Sequence, residues 1–171
     1  SSDVCSSDLY PLGRKKVQKL LYLMRRKQEA DTSAFKKKAA GPYADEIRYK
    51  GGEPIATKNG YITTEKSNRG TAFKTGKNIQ TALSYIDKWQ IQPYIDWLVE
   101  NFKYTKIDDL ELFATVDMAM CDLTDEGKTI TVESIKSLIK STVEWKAKLS
   151  KPYFSDNNIE RAIKICNQLY C

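Results

Sequence analysis

The chain has 171 residues, of which 41% are hydrophobic and 29% charged, a composition that fits one globular domain and excludes disordered or collagen-like chains. It contains no histidine, which excludes histidine-based triads, general bases and metal sites. No stretch approaches the roughly 20 apolar residues that span a bilayer, so no membrane partner is predicted. The formal net charge of +6 favours an acidic partner such as nucleic acid.

Residues 1–9, SSDVCSSDL, contain Ser-Ser-Asp twice and resemble a common sequencing adaptor translated in frame. They lack the basic start and apolar stretch of a signal peptide. The other interpretation is an ordinary polar tail. We exclude these residues from the fold, predict one native domain over residues 10–171, and expect it to be the C-terminal portion of a longer protein.

The basic character belongs to one part of the chain. Without residues 1–9 the net charge rises to +8. Residues 10–77 carry 17 Lys or Arg against 6 Asp or Glu, whereas residues 78–171 carry 11 against 14. This asymmetry predicts a part that faces nucleic acid, 10–77, and a packing part, 78–171. A solvated basic face with no partner is the competing interpretation.

The predicted elements begin with a helix from Gly13 to about Glu29. Its apolar stripe is Val17, Leu20, Leu21 and Met24. Cations cover the rest of its surface: Arg14, Lys15, Lys16, Lys19, Arg25, Arg26 and Lys27. A second basic run, Lys36-Lys37-Lys38, precedes a short helix predicted from Pro42 to about Tyr49, because proline fits the first turn of a helix. Gly51-Gly52 ends that helix.

A β-hairpin is predicted next. Residues 61–66 and 71–75 are rich in β-branched and aromatic side chains, and Ser67-Asn68-Arg69-Gly70 between them has turn chemistry. Two short helices followed by a basic hairpin is the order of a winged helix, in which the hairpin commonly lies over the phosphate backbone.

The remaining chain predicts helices. Asn78 caps one, Pro93 opens the next, and Asp108 or Asp109 starts a third that ends near Asp125. That third helix is apolar on most sides, which predicts a central, buried position. Thr131 caps a helix carrying Ile135, Leu138, Ile139 and Trp145, and Ser155 or Asp156 caps the last. The predicted fold class is mainly α with a small β-hairpin, a winged-helix-like N-terminal part followed by a helical bundle.

Catalytic chemistry is not evident in these residues. Cys121, Cys166 and Cys171 lack metal-site spacing. Cys121 and Cys166 lie on apolar helical stripes and indicate buried, reduced thiols of a cytoplasmic protein. Glu144-Trp145-Lys146 has the Glu-x-Lys form of some nucleases, but it falls in a predicted helix without a partner carboxylate. Asp108, Asp109 and Glu111 are better explained as carboxylates at a helix N-terminus than as a cation site. We predict no catalytic residue, no metal and no cofactor.

Nucleic-acid binding is the function these residues favour. The candidate contacts to phosphate are Arg14, Lys15, Lys16, Lys19, Arg25, Arg26, Lys27, Lys36, Lys37, Lys38, Lys66, Arg69, Lys74 and Lys77. Tyr61 and Phe73 are aromatic candidates for such a contact and are equally suited to fix the hairpin to the core. Nothing indicates residues that recognise particular bases.

Several short motifs resemble a known family. Residues 16–23 resemble the "lxKLlYl" opening of a helical accessory domain of prokaryotic defence proteins, and residues 39–45 its "aaGPYd" signature, with Gly41, Pro42, Tyr43 and Asp45. Residues 110–116 resemble its "lElLATv" helix. Its later "I…W…K…F…I..A" pattern is similar to Trp145, Lys148, Phe154, Ile159 and Ala162. The segment from Gly51 to Lys77 is longer and more basic than in the shortest members, so its role is not carried over.

The resemblance implies a non-catalytic module in phage defence. Such domains occur near the C-terminus of type I restriction–modification subunits, mainly specificity subunits, and related ones occur in DNA ADP-ribosylglycohydrolase antitoxins and Panacea-type antitoxins. We therefore expect a module of a restriction–modification subunit that binds DNA or another subunit. The alternative is an antitoxin-type module that binds a toxin protein and DNA.

Overall fold

The computed structural model describes residues 12–170 and is mainly helical, with two antiparallel two-stranded hairpins. This confirms the predicted fold class. The helices are α1 (Arg14–Lys27), α2 (Asp45–Tyr49), α3 (Gly52–Lys58), α4 (Ile79–Lys88), α5 (Gln92–Phe102), α6 (Ile107–Asp125), α7 (Val132–Ser141) and α8 (Asp156–Leu169). The strands are β1 (Lys36–Lys38), β2 (Gly41–Tyr43), β3 (Ile62–Ser67) and β4 (Gly70–Thr75). Short 3₁₀ turns cover Lys146–Ser150 and Pro152–Phe154. The predicted adaptor-like segment and Cys171 lie outside the described residues.

Helix α6 lies at the centre of the fold, as its sequence predicts. Every residue from Leu110 to Met120 is buried, and the helix packs against α1, α7, α8 and β2. A helix with apolar side chains on all sides is stable only when neighbours cover all of those sides. The same helix also brings Glu111, Thr115 and Asp117 into the interior.

Helices α7 and α8 begin where the sequence predicts. Thr131 forms a capping box with Ser134, and the Ser155 hydroxyl accepts a hydrogen bond from the Asn158 backbone. The prediction that α7 carries Trp145 is wrong, because α7 ends at Ser141 and Thr142 is extended. Trp145 is fully buried in the turn that follows, and its indole N–H donates to the Lys38 carbonyl at 3.0 Å.

Helix α1 forms over the predicted range, but its buried face is not the predicted one. Gln18, Lys19, Tyr22 and Leu23 are buried, whereas Val17, Leu20, Leu21 and Met24 are only partly so. The polar side chains of the buried face find partners that are remote in sequence. Gln18 exchanges two hydrogen bonds with the Ala44 backbone, at 2.9 and 3.2 Å, and the Tyr22 hydroxyl donates to Asp117 at 2.7 Å.

The segment between α1 and α3 differs from the prediction. Lys36–Lys38 is a strand that pairs with Gly41–Tyr43, so Pro42 lies in β2 and the helix starts later, at Asp45. Gly41 has φ +96°, and a Cβ there would lie 3.0 Å from the Thr115 hydroxyl oxygen. Gly51-Gly52 both ends α2 and starts α3, which carries Pro54 in its first turn.

The hairpin predicted from residues 61–66 and 71–75 is confirmed, since β3 and β4 form over these ranges. Its register pairs Thr64 with Phe73 around the turn from Ser67 to Gly70. The hairpin joins α1 through a bridge between Gly13 and Ala72, and the Phe73 backbone N–H donates to the Leu12 carbonyl at 2.8 Å. The predicted order of two short helices and then the hairpin is not met, because the β1–β2 hairpin follows α1 and two helices, α2 and α3, precede β3. Asn78 precedes α4 without capping it, since its side chain donates to the Asn59 carbonyl instead.

Candidate nucleic-acid interface

Five of the predicted phosphate contacts form ion pairs within the domain. The pairs are Arg14–Glu53 at 2.6 Å, Arg26–Asp117 at 2.7 Å, Lys37–Asp122 at 2.6 Å, Lys38–Asp45 at 3.8 Å and Lys74–Glu65 at 2.6 Å. Arg14 and Arg26 are the most engaged, because the carboxylates they bind are almost inaccessible to solvent. These two arginines therefore have little charge left for phosphate, whereas the exposed Lys38–Asp45 and Lys74–Glu65 pairs hold their lysines only weakly.

Lys19 is not on the surface, which corrects its place among the exposed cations of α1. Its side chain is fully buried, and its Nζ has no hydrogen-bond partner among the described residues. The amine lies 5.9 Å from the centre of the Tyr43 ring. Burial lowers the pKa of Lys19 to about 8, although the nearby Glu111 carboxylate opposes this effect. A DNA phosphate cannot reach this side chain in the folded domain.

The C-terminal end of α1 is also tied to the protein. Arg26 and Tyr22 both donate to the buried Asp117 carboxylate, and burial followed by the Asp117 charge raises the pKa of Tyr22. Arg25 donates to the Asp31 carbonyl at 3.3 Å, and Lys27 donates to the Leu169 carbonyl at 3.3 Å. Arg26 and Lys27 therefore bind this end of the helix to α6 and α8, and Arg25 binds it to the loop that follows.

A smaller set of the predicted contacts is exposed and forms no ion pair among residues 12–170. Its members are Lys15, Lys36, Lys66, Arg69 and Lys77. Lys16 differs from them, because partial burial lowers its pKa. Three members of the set belong to the β3–β4 hairpin or its end, and Lys15 lies on the first turn of α1, which adjoins β4. We call Lys15, Lys66, Arg69 and Lys77 the hairpin cation set.

Two further exposed lysines, missed by the sequence prediction, lie on the helices that precede and follow this hairpin. Lys58 ends α3, which joins the hairpin through a hydrogen bond from the Tyr61 N–H to the Ala56 carbonyl. Lys88 ends α4. Neither belongs to a run of basic residues, so the sequence did not mark them.

The two aromatic candidates on the hairpin have different surroundings. Phe73 lines a cavity of about 320 Å³ with Leu12, Val17 and Ile47, and the Arg14 guanidinium lies 6.0 Å from its ring centre. It therefore fixes the hairpin to α1. Tyr61 lies at the base of the hairpin beside Tyr85 of α4, and partial dehydration together with the Tyr85 phenol raises its pKa.

Part of the signature that carries the family resemblance lies beside a buried polar cluster. Gly41 and Pro42 are buried against α6, while Asp45 is exposed at the start of α2. The Lys148 ammonium donates to Glu111 and to the Ala39 carbonyl, both at 2.6 Å, and the Tyr153 hydroxyl also donates to Glu111. Burial lowers the pKa of Lys148, and the two donors outweigh burial to lower the pKa of Glu111. These contacts hold the β1–β2 hairpin on the helical core.

The acidic and cysteine side chains of the described residues are not gathered into a metal centre. Residues 12–170 contain no group of three or more Cys, Asp or Glu side chains placed to hold a metal ion. Asp109 pairs with Arg161, and Glu111 belongs to the buried cluster. Burial raises the pKa of the Cys121 thiol to about 11, which keeps it protonated and a poor nucleophile at neutral pH.

Comparisons with known proteins add no family to this description. No protein-family model matches the sequence, and no curated protein does. Within residues 12–170, no helix has both the length and the apolar character needed to cross a membrane.

Proposed function

We propose that this domain is a non-catalytic, DNA-associated accessory module of a type I restriction–modification subunit, with the specificity subunit as the first choice. The position of the exposed cations is the observation that supports the DNA contact most. Of the predicted phosphate contacts, those that are exposed and form no ion pair within residues 12–170 are concentrated on the β3–β4 hairpin and its flanks, in the hairpin cation set.

The hairpin suits a contact to the phosphate backbone. Lys66 and Arg69 lie at or beside its exposed turn, Lys77 follows β4, and Lys15 lies on the helix that adjoins β4. Arg69 also offers a planar guanidinium that can bind a phosphate through two hydrogen bonds. We assign no base-recognising role to these residues, so the proposed binding is independent of sequence.

A salt series tests this contact. We expect the variant with Lys66, Arg69 and Lys77 all replaced by Gln to lower the slope of log affinity against log salt by about 0.9 for each phosphate that the protein no longer neutralises. The matched control replaces Lys106, Lys140 and Lys146, which are exposed on the helical part, and removes the same charge. Fluorescence anisotropy with a labelled duplex measures both. Equal slopes for the two variants, or no binding by the parent protein, would contradict the proposal.

The choice of restriction–modification system rests on the family resemblance. Methylase and translocase genes beside an intact copy of the gene would favour it, and a small toxin gene would favour the antitoxin alternative. A start codon just before Tyr10 with no upstream domain would count against a C-terminal module of a longer subunit.

The antitoxin alternative has its own supporting observation. A groove of about 610 Å³ lies between the end of α5 and α8, and Val99, Phe102 and Phe113 contribute apolar surface to it. Exposed apolar surface of this kind favours a protein partner. A purified complex with a neighbouring toxin, abolished when Val99 is replaced by Glu, would support this second function.

We also propose a cytoplasmic location. Cys121 and Cys166 are free thiols in the structure, as expected of a protein in a reducing compartment. The proposed module uses neither a cofactor nor a metal.

A further inference from the structure

An aromatic row extends from the base of the β3–β4 hairpin along α4. It consists of Tyr61, Tyr85 and Trp89. Tyr85 and Trp89 are one helical turn apart, and their rings stack with centres 5.0 Å apart and planes 15° apart. The Tyr61 phenol lies beside the Tyr85 phenol, which joins the row to the hairpin.

Trp89 is unusual among the tryptophans of this domain because it is exposed. Trp145 is fully buried and Trp97 packs against the core, whereas Trp89 has 62% of its surface accessible. Helix α4 contains no fully buried residue, so the core does not explain this side chain. A tryptophan has a large apolar face and one polar N–H, which suits it to a contact surface, and here the exposed ring is also stacked on a second one.

The backbone fixes the position of this ring. The Trp89 N–H donates to the Tyr85 carbonyl at 2.9 Å, and the Ile91 N–H donates to the Ile86 carbonyl at 3.0 Å. Gln90 between them has φ +56°, the left-handed conformation that closes a helix. Trp89 is thus held at the end of α4, stacked on Tyr85 and with most of its surface open.

Exposed lysines lie on the elements that carry or adjoin the row. Lys58, Lys77 and Lys88 are exposed at the ends of α3, β4 and α4. The hairpin base is closed onto the start of α4 by hydrogen bonds from Asn78 N–H to the Gly60 carbonyl and from Gly76 N–H to the Tyr61 carbonyl. Phosphates bound along the hairpin would therefore deliver a nucleotide to the aromatic row.

We propose that Trp89, supported by Tyr85, is a stacking platform for one unpaired base of single-stranded DNA. The proposal rests on the proposed backbone contact of the hairpin and adds a preference for unpaired over paired bases. An exposed aromatic ring beside a basic track is the arrangement by which proteins bind single strands without recognising their sequence. In a duplex the bases are stacked on each other and their faces are not available to such a ring.

The test measures binding of a 20-nucleotide oligothymidylate, the matching duplex and a strand that lacks bases. We expect Trp89→Ala to weaken binding of oligothymidylate by about tenfold, to change duplex and base-free strand binding less than twofold, and to leave the salt slope as it is. Trp89→Phe keeps a ring and should recover most of the affinity. Tyr104→Ala, which removes another exposed aromatic side chain from the helical part, is the matched control.

The results separate this proposal from the one it rests on. If Lys66, Arg69 and Lys77 are needed for binding but Trp89→Ala binds oligothymidylate like the parent, the stacking platform is overturned while the backbone contact stands. Equal reductions of affinity for oligothymidylate and for the base-free strand also overturn it. If the parent protein binds no DNA, both proposals fall together.

Discussion

The two hairpins of this domain both carry clustered positive charge, but they use it differently. In the β1–β2 hairpin Lys37 pairs with Asp122 of α6, Lys38 pairs with Asp45, and the Lys38 carbonyl accepts from Trp145. In the β3–β4 hairpin Lys66 and Arg69 are exposed and form no ion pair within residues 12–170. The first hairpin is a structural part of the core, and the second is the candidate binding surface.

What separates the hairpins is the position of carboxylates on other elements, which a count of charges along the sequence does not contain. Helix α6 presents Asp122 and Glu111 towards the first hairpin, and Lys148 links Glu111 to the Ala39 carbonyl between its strands. On the second hairpin the one acidic residue, Glu65, pairs with Lys74. Only positive charges that are exposed and form no ion pair in the described residues, such as those of Lys66 and Arg69, can contribute fully to nucleic-acid binding.

The largest effect is expected when the anchor of the β1–β2 hairpin is removed. Glu111→Ala leaves the buried Lys148 ammonium and the Tyr153 hydroxyl without their acceptor, so we expect the free energy of unfolding to fall by about 3–5 kcal/mol. Glu65→Ala removes a carboxylate from an exposed pair on the other hairpin and should change stability little. Urea denaturation measures both. Similar unfolding midpoints for the two variants would contradict the structural role given to the first hairpin.

The buried Lys19 beneath the β1–β2 hairpin should make stability depend on pH. Its pKa is lowered from 10.5 to about 8 by burial, so between these values the unfolded chain binds more protons than the folded domain. The free energy of unfolding therefore rises with pH from 8 to 10.5. Below pH 8 the folded domain carries the full cost of the buried charge, on the order of 3 kcal/mol.

Lys19→Met tests this dependence. The variant should be more stable than the parent at pH 7, and the difference should shrink as the pH rises towards 10.5. Lys15→Met, on the exposed side of the same helix, controls for the removal of one lysine. A variant that is less stable than the parent at pH 7, or a difference that stays constant with pH, would show that Lys19 has a partner in the folded domain.

A smaller effect distinguishes the turns of the two hairpins. Gly41 and Gly70 both have positive φ, +96° and +107°. A Cβ at Gly41 would meet the Thr115 hydroxyl at 3.0 Å, whereas at Gly70 nothing lies within 4 Å. We expect Gly70→Ala to cost about 1–2 kcal/mol for the backbone alone, and Gly41→Ala to cost about 1 kcal/mol more. Thermal unfolding of both variants measures the difference. Equal losses of stability would contradict the close packing of Gly41 against Thr115.

Local patterns predicted those parts of the fold whose contacts are local or apolar. The continuous apolar surface of α6, the caps Thr131 and Ser155, and the turn chemistry before Gly70 each predict what the structure contains. These signals work because capping and turn geometry depend on neighbours within a few residues.

The orientation of α1 could not be predicted in the same way. Its buried face depends on Ala44 and Asp117, which lie 26 and 95 residues from Gln18 and Tyr22. The leucine stripe was the stronger local signal, and remote hydrogen-bond partners overrode it. The same reason explains Lys19, which is indistinguishable in sequence from the surface cations beside it and is enclosed only by the fold.

The β1 strand and part of the candidate site were also beyond local reasoning. Lys36–Lys38 has no alternation of apolar and polar residues, so its sequence carries no strand pattern. Lys58, Lys88 and Trp89 are separated from the basic runs, so no local pattern marked them. The sequence indicated which half of the domain is basic, and the structure indicates which of its charges are available.

One measurement tests the difference between the two hairpins most directly. It adds a third variant to the salt series on duplex DNA, in which Lys36, Lys37 and Lys38 are replaced by Gln. We expect this variant to keep a slope within about 0.9 of the parent's, since only Lys36 among the three forms no ion pair in the described residues. The variant at Lys66, Arg69 and Lys77 should lower the slope by up to about three times that amount. Equal slopes for the two variants, or a larger decrease from the β1 replacement, would contradict the distinction between the hairpins.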